Sequence, residues 1–342
     1  MPAATIKVGI LGLGRLGASV GLALKRYNAG KDARQQFVTT GYAASNLQTQ
    51  ALKTLNPVDK VARNLEDAAL EQDIVFLALP YRDVQTAYQL IGHDLRSGSV
   101  LLDASPLKLP SHEWAAKHLN AEAHMVGVLP VLNAKYMFDG LDDTEHAAAD
   151  LFDGGSFLLL PNAKSEKEAV ELASDFGELL GSTPLFGDPV EHDVWASASE
   201  GLPAVLGLAA FYSLFRRDGW NDVRKVGNPS FGHLTHHLYD SNPDDLRDLM
   251  LNNRENMLRQ IDSTVETLGV LRGMLAENDR ASLEEILIQT METYVTWVVH
   301  RREGRWDKPE SVASPSRSDL FLGGMFGSYL TKRIKRDKDD ED

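Results

Sequence analysis

The chain contains no cysteine among its 342 residues, which excludes disulfides, thiolate nucleophiles and cysteine metal centres. Positive charge is scarce, because 35 Lys and Arg stand against 49 Asp and Glu, for a formal net charge of −14. A nucleic-acid partner is therefore not expected, since a phosphate backbone has to be neutralised by clustered cations. Apolar runs are short, and none approaches the ~20 residues that cross a bilayer, so no membrane span is expected.

The amino-terminal segment MPAATIKV has no basic leader before its first apolar run. That run reads as a strand rather than as the apolar region of a signal peptide. We therefore expect a cytoplasmic protein.

The segment KVGILGLGRLGASVGLAL predicts a strand, a glycine turn and a helix in immediate succession. Its glycines have the GxGxxG spacing: Gly12 permits a tight turn, Gly14 lets the backbone approach a diphosphate, and Gly17 lets the helix pack closely on the strand. The turn is therefore expected to bind NAD or NADP through Gly12, Leu13, Gly14, Arg15, Leu16 and Gly17.

Residues 6 to about 162 alternate short apolar strands with amphipathic segments, which is typical of an α/β, Rossmann-type doubly wound parallel sheet. The predicted strands are IKVGIL, FVTTGYA, DIVFLALP, SVLLDAS, HMVGVLPVL and GSFLLLP, and a linking strand, STPLFGD, follows them. Ligands of such sheets bind beyond the carboxyl ends of the strands. Leu79, Pro80 and Ser105 stand at strand ends and are expected to border the cofactor.

The second strand ends in GYAASN and lacks the acid that usually contacts the adenine ribose and repels a ribose phosphate. Ala43 stands where the carboxylate is expected, and Ser45 and Asn46 follow as hydrogen-bond donors. This pattern favours NADP weakly over NAD. An uncommitted polar turn explains the same residues about as well, and no arginine stands beside them in the sequence.

From Glu191 onwards the sequence changes to long helical patterns, so an all-α domain is expected to follow the sheet. Since single cores tend to stop growing near ~250–300 residues, the length also predicts more than one domain. We expect a dinucleotide-binding domain over 1–187, a helical dimerisation and substrate domain over 188–305, and a flexible tail over 306–342.

Two long helices are predicted in the helical domain. Asn242 is expected to cap a helix whose apolar residues recur from Leu246 to Leu271, and the capping box Ser282–Glu285 is expected to open a second helix that ends at Gly304. Together they predict a long hairpin. Apolar stripes of this length are usually covered by a partner, so a homodimer is expected. The tail is expected to dock on its own chain rather than to anchor in a membrane.

Six segments, in this order, resemble the prephenate and arogenate dehydrogenase family over roughly residues 6 to 303. They are GLGRLGASVGLAL, DIVFLALP, DASPLK, HMVGVLPVLNA, EHDVWASASEGLPAVLGLAA and NPDDLRDLMLNNRENML. The resemblance implies an NAD(P)-dependent oxidative decarboxylation of a small carboxylate substrate in tyrosine biosynthesis. It also implies a base for the ring hydroxyl and a cation for a substrate carboxylate.

The chain departs from the family pattern at its polar site positions. Leu129 replaces the histidine of the family's HPM segment, and Gly201 and Ala204 replace both histidines of its SHLPH segment. Pro106 falls on a serine, and His237 falls near the carboxylate-binding arginine. Loss of a positioned base typically costs ~10²–10⁴ in rate, so either other groups perform the chemistry or the substrate differs.

Glu200 and His237 are the first two catalytic candidates. Glu200 adjoins Gly201 and can act as the base if burial raises its pKa. His237, in a cluster with His233 and His236, can hold an anionic substrate or accept a proton. The spacing of His233 and His237 also suits a metal, but no carboxylate recurs at ligand spacing around them, so no metal site is expected.

Lys108 and Asn133 are the other two candidates, because they follow strands on the cofactor side. They are expected either to hold substrate oxygens or to cap loops. His192 and Asp193 match a family pair and are expected to fix the domain junction rather than to perform chemistry.

Other functions remain open at this point. The lost polar positions favour a catalytically silent NAD(P)-binding dimer, or a dehydrogenase for a different small carboxylate. A β-hydroxyacid dehydrogenase would need a lysine and an asparagine on an interdomain helix, and Lys225 with Asn228 matches that spacing poorly.

Overall fold

The computed structural model of the protein describes residues 4–31, 33–44, 46–139 and 143–304. The chain forms two compact units that divide between Asp262 and Ser263. The first unit contains the sheet, the helices that cover it, and the helical segments as far as Asp262. The second begins within a long helix and contains the helix that follows.

The described residues of the first unit form one mixed sheet of eight strands, in the order β3-β2-β1-β4-β5-β6-β7-β8. The strands are β1 Ala4–Leu11, β2 Gln35–Tyr42, β3 Lys60–Val61, β4 Ile74–Leu77, β5 Val100–Asp103, β6 His124–Val131, β7 Ser156–Leu160 and β8 Thr183–Phe186. The predicted Rossmann-type class and the predicted strands are confirmed. The two-residue β3 was missed, because a strand so short carries no readable alternation.

The expectation that the whole sheet is parallel was wrong at its far edge. Strand β7 runs antiparallel to β6, with Gly127 opposite Leu160 and Val131 opposite Ser156, and β8 then runs parallel to β7. A parallel neighbour needs a crossover that returns the chain to the other end of the sheet. In the described part of the β6–β7 connection the chain forms only two short 3₁₀ turns, Ala134–Tyr136 and Thr144–His146.

Helices cover both faces of the sheet, which explains why its strands read as continuous apolar runs. These helices are α1 Arg15–Asn28, α2 Asn46–Leu55, α3 Leu65–Ala69, α4 Tyr81–Ile91, α5 Lys108–His118 and α6 Lys167–Leu179. Alternate strand residues enter two separate cores. Ile10 and Phe76 pack in one with Phe176 of α6, whereas Leu11 and Val75 pack in the other.

The rest of the described chain is helical, as predicted. Its helices are α7 Pro189–Ala196, α8 Leu202–Phe215, α9 Trp220–Val223, α10 Pro229–Thr235, α11 His237–Asp240, α12 Pro243–Asn252, α13 Arg254–Glu277 and α14 Arg280–Glu303. Asn242 caps α12 as expected, because its side chain accepts the Asp244 N–H at 2.8 Å. Gly304 ends α14 in the left-handed conformation, with φ of 62°.

Two details of the helical prediction were wrong. The apolar pattern from Leu246 to Leu271 does not form one helix, because Asn253 leaves helical geometry and separates α12 from α13. The N-cap of α14 is Asp279 rather than Ser282, since the Asp279 carboxylate accepts the Ser282 N–H at 3.1 Å. A carboxylate three residues before the apparent capping box therefore sets the start of the helix.

One described helical run, Pro189–Phe215, is long and apolar enough to be a candidate membrane span by length and composition alone. No such segment was expected, because no apolar run in the sequence approaches the length needed to cross a bilayer. Only 11% of its most apolar window is buried within the chain. The predicted tail over 306–342, Ser45 and the side chain of Asn46 lie outside the described part of the chain.

We predict that Gly17→Ala lowers the free energy of unfolding by about 1–3 kcal/mol, the usual range for overpacking. A Cβ at residue 17 would lie 2.0 Å from the carbonyl oxygen of Gly12, which cannot move without opening the turn. Urea denaturation measures the change. Gly219→Ala is the control, since a Cβ there has nothing within 4 Å, and equal losses in the two variants would contradict the prediction.

Candidate active site

The glycine turn has the close backbone contacts that a dinucleotide seat requires. Gly12 has φ of +98°, and a Cβ there would lie 2.2 Å from the Ala78 carbonyl oxygen. Helix α1 begins at Arg15 with Gly14 as its extended N-cap. First-turn amides have no partner within their own helix and favour anions. The main chain of this turn therefore fits the diphosphate of NAD or NADP.

The two leucines of the turn contribute main chain to this seat, because their side chains belong to the core. Leu13 is fully buried, and Leu16 packs against the same core cluster. The carbonyl oxygen of Leu13 accepts the Thr144 hydroxyl at 2.9 Å. The β6–β7 connection is thus bonded directly to the glycine turn.

Arg15 extends this attachment through its side chain, which is 4% exposed. Its guanidinium donates to both carboxylate oxygens of Asp139, at 3.0 and 2.6 Å, and to the His146 carbonyl oxygen at 3.2 Å. It also lies over the Tyr136 ring, 5.2 Å from the centroid. The Arg15 guanidinium therefore holds the β6–β7 connection. The residue can contact the cofactor, as predicted, through its main-chain N–H at the start of α1.

The other predicted cofactor residues lie at the carboxyl ends of β2, β4 and β5. Ala43 follows β2 and is half-buried, Leu79 is 7% exposed, and Pro80 is the N-cap of α4. The Ser105 hydroxyl is buried and bonds the Ser111 hydroxyl at 2.7 Å and the Leu107 carbonyl oxygen at 3.3 Å. Its side chain is thus committed to the start of α5.

A cavity of about 450 Å³ lies beyond the ends of β5 and β6, within the first unit. Pro106 and Leu107 after β5 and Leu132 after β6 line it on the sheet side. The structure brings three of the predicted site residues to its wall, which are Arg15, Glu200 and His237. An apolar wall faces them, made of Leu246, Leu249, Met250 and Met257.

Glu200 lies in a π-helical turn, Ser197–Gly201, that joins α7 to α8. Such wide turns occur frequently at functional sites. The side chain of Glu200 is exposed in the chain, so the burial that was expected to raise its pKa is not provided by this chain alone. Glu200 therefore lies at the cavity wall as a carboxylate that this chain does not bury.

The packing around residue 201, next to Glu200, explains why a glycine stands there in place of the family's histidine. A Cβ at residue 201 would lie 2.4 Å from the Sδ of Met257, which is 5% exposed. Met257 thus fills the space that a larger side chain at residue 201 would need. The sequence alone did not reveal this pairing, because the two residues lie on different helices.

His237 begins α11, and its ring contacts that of His236 with centroids 4.0 Å apart. Both histidines line the cavity. His233 lies on α10 and is exposed, outside the cavity wall. The predicted histidine cluster therefore contributes two imidazoles to the site.

Lys108 is fully buried and does not line the cavity. Its ammonium donates to the carbonyl oxygens of Asp103 at 3.0 Å, Val128 at 2.9 Å and Ser105. Burial lowers the pKa of Lys108 to about 8, and the charges of Asp103 and Asp193 oppose this effect. The contacts tie the end of β5 and the middle of β6 to α5, and they favour a structural role over contact with substrate.

Asn133 and the His192–Asp193 pair have local bonding roles. The Asn133 side chain accepts the Lys135 N–H at 3.0 Å, so it caps the turn after β6. The Asp193 carboxylate accepts the main-chain N–H groups of Lys108 and Leu109 at 2.7 and 3.0 Å. Asp193 therefore fastens α7 to the start of α5 within the first unit, and its expected role at a domain junction stays a prediction.

Comparison with known proteins shows which family the chain belongs to. The family model described as prephenate dehydrogenase, nucleotide-binding domain, matches residues 20–183, and the model described as prephenate dehydrogenase, dimerization domain, matches residues 188–289. The chain is 23% identical to the prephenate dehydrogenase of Bacillus subtilis over 319 residues, 92% of this chain and 79% of that one.

Two solved structures have a similar fold. Prephenate dehydrogenase from A. aeolicus, in complex with hydroxyphenyl propionate and NAD+, superposes with a TM-score of 0.68 at 21% identity, over 86% of this chain and 100% of the other. Synechocystis arogenate dehydrogenase gives 0.63 at 18% identity, over 85% and 100%.

The glycine turn, the mixed sheet and the cavity at its carboxyl edge define a nucleotide-dependent oxidoreductase with a helical carboxy-terminal domain. The chain belongs to the prephenate dehydrogenase family, as its sequence resemblance implied. It is an NAD(P)-dependent dehydrogenase of the prephenate and arogenate type.

We predict that Asp139→Asn lowers the free energy of unfolding by about 1–3 kcal/mol, because it leaves the buried Arg15 cation without its charged acceptor. Glu171→Gln is the matched control, since it breaks the exposed Lys167–Glu171 pair, which is expected to contribute less than about 1 kcal/mol. Urea denaturation of both variants tests this. Similar losses would show that the Arg15–Asp139 pair behaves as a surface contact.

Lys108 gives a pH dependence of stability with a definite sign. Its folded pKa of about 8 lies below the usual value for lysine, so between these two values the unfolded chain binds more protons. The stability contributed by this group is therefore complete above the unfolded pKa and is lost as pH falls through about 8. Between pH 7 and 10, the free energy of unfolding of the wild type should rise by on the order of 1–3 kcal/mol relative to that of Lys108→Met. Parallel pH profiles of the two proteins in urea denaturation would contradict this.

Proposed function

We propose that the protein oxidises a small cyclohexadienyl carboxylate, prephenate or arogenate, which binds in the cavity beyond β5 and β6. The observation that carries the proposal is that Glu200 and His237 line one cavity with Arg15 of the glycine turn. The hydroxyphenyl propionate held by the A. aeolicus relative supports the same class of small, ring-bearing acid. When bound, NAD or NADP supplies the hydride acceptor.

The residues of this chain have separate tasks in that reaction. Main-chain amides at the start of α1 hold the diphosphate. Glu200 accepts the proton of the ring hydroxyl group while the ring carbon that carries this hydroxyl gives its hydride to the dinucleotide. Release of the ring carboxylate as carbon dioxide then makes the ring aromatic. His237, when protonated, holds a substrate carboxylate, and the apolar wall from Leu246 to Met257 excludes water from the ring.

The assembly and location that we propose follow the sequence expectations. In the second unit, apolar side chains of α13 and α14 remain largely exposed, among them Val265, Leu268, Leu275 and Tyr294. The matching family model is described as a dimerization domain. We propose a cytoplasmic homodimer that covers these side chains, built from domains over 1–187 and 188–305.

The proposed chemistry predicts that Glu200→Gln lowers kcat by about 10²–10⁴, because it removes the proton acceptor, while the affinity for NAD and NADP stays unchanged. His237→Asn should mainly raise KM, because it removes a cation that holds the carboxylate. Cofactor reduction is measured with prephenate and with arogenate. Glu178→Gln, an exposed carboxylate on α6, is the control.

The outcomes of this assay separate the alternatives. Full activity in Glu200→Gln would eliminate Glu200 as the base. A wild-type protein that binds the dinucleotide in calorimetry but turns over neither compound would support the silent NAD(P)-binding dimer instead.

A further inference from the structure

Arg63 follows β3, the strand that pairs with β2, and therefore lies at the same edge of the sheet as the end of β2 although the two are distant in the sequence. Strand β3 pairs in parallel with β2, with Thr40 beside Lys60 and Gly41 beside Val61. The Ala62 N–H continues the ladder by donating to the Gly41 carbonyl oxygen at 2.8 Å. Because the two strands are parallel, Arg63 follows the carboxyl end of β3 just as Ala43 follows that of β2, at the edge of the sheet where dinucleotides bind.

The backbone on both sides of Arg63 is fixed. Before β3, the Asp59 carboxylate accepts the N–H and the hydroxyl of Thr39 at 2.8 and 3.0 Å. After Arg63, the Asn64 side chain caps α3 by accepting the Asp67 N–H at 2.7 Å. Arg63 is therefore held at one position by its neighbours and not by its own side chain.

The guanidinium of Arg63 is available for a ligand. The residue is exposed, and within the described part of the chain it takes part in no hydrogen bond or ion pair. Three arginines elsewhere in this unit instead pair with acids of the chain: Arg15 with Asp139, Arg26 with Asp153 and Arg82 with Asp245. Asp59, the acid that precedes β3, is occupied by Thr39, as described above.

The chemistry of this corner favours a phosphate. A carboxylate at the end of β2 would bind the ribose hydroxyls and repel a phosphate, but Ala43 has none. A guanidinium presents several N–H donors in a planar fork that matches phosphate oxygens. An arginine near the adenine ribose is also the usual means of accommodating the additional phosphate of NADP.

We propose that Arg63 binds the 2′-phosphate of NADP and sets a preference for NADP over NAD. This assignment rests on the proposed function of the glycine turn as a dinucleotide seat. It supplies the arginine that the sequence around Ala43 lacks.

Titration calorimetry of the full chain with NADP, NAD and 2′,5′-ADP tests the assignment without requiring turnover. Wild type should bind NADP more tightly than NAD. Arg63→Ala should weaken binding of NADP and of 2′,5′-ADP by about 10- to 100-fold, the equivalent of one or two charge-assisted hydrogen bonds. Its affinity for NAD should change by less than about twofold.

Lys60→Ala is the matched control, because Lys60 is an exposed cation on β3, three residues before Arg63. It should change all three affinities by less than about threefold, since screening weakens distant exposed charges. Arg63→Lys should recover part of the NADP affinity. Ala43→Asp should lower NADP affinity and raise NAD affinity, because the new carboxylate repels the phosphate and binds the ribose hydroxyls.

Three results would overturn the assignment while leaving the dinucleotide seat intact: a wild-type preference for NAD, no preference at all, or an equal loss of NAD and NADP affinity in Arg63→Ala. The last of these would mean that Arg63 contacts the adenine ring or the diphosphate. Absence of heat with every nucleotide in the wild type would instead overturn the proposed function itself.

Discussion

The site depends on the contact between α1 and the backbone of the turn that precedes it. Helix α1 approaches β1 so closely that any side chain at residue 17 would overlap the Gly12 carbonyl oxygen. This approach aims the first-turn amides beyond the edge of the sheet. It also places the Arg15 side chain where Asp139 and His146 can bind it. One steric constraint thus positions both the diphosphate seat and the segment that closes the cavity on that side.

A second, polar constraint joins this sheet edge to the helical segment that carries Glu200, the candidate base. Asp193 of α7 accepts two main-chain N–H groups at the start of α5, and the Asn253 side chain donates to the Asp193 carbonyl oxygen at 2.7 Å. Lys108 fixes the start of α5 to the end of β5 and to Val128 within β6. Because the π turn with Glu200 follows α7 directly, its distance from the sheet edge is set by these buried bonds. A buried cation of this kind is costly unless several acceptors surround it, which explains its three carbonyl partners.

Much of the fold could be predicted from the sequence, because the evidence for it is local. The glycine spacing, each apolar strand and the Asn242 cap are all formed by residues that are close together in the sequence. The features that were missed depend on residues far apart in the chain. The direction of β7 is set by the form of the β6–β7 connection, and the Asn253 break is stabilised by Asp193, sixty positions earlier. Lys108 and Asn133 looked alike as polar strand-end residues, and only their bonding partners show that both are occupied within the chain.

Where the family pattern has histidines this chain has apolar residues or glycine, and its polar side chains reach the cavity from other positions. At residue 201 the space is filled by Met257, so a histidine could not return there unless the methionine also changed. Leu129 on β6 is half-buried and lies outside the cavity lining. The polar groups are instead Glu200, one residue before the glycine, and the imidazoles of His236, between α10 and α11, and of His237, the first residue of α11. Substitutions that merely accumulated after loss of activity would not be expected to leave an acid and two imidazoles facing one cavity beside an intact glycine turn. The arrangement therefore favours an altered dehydrogenase site over a silent one.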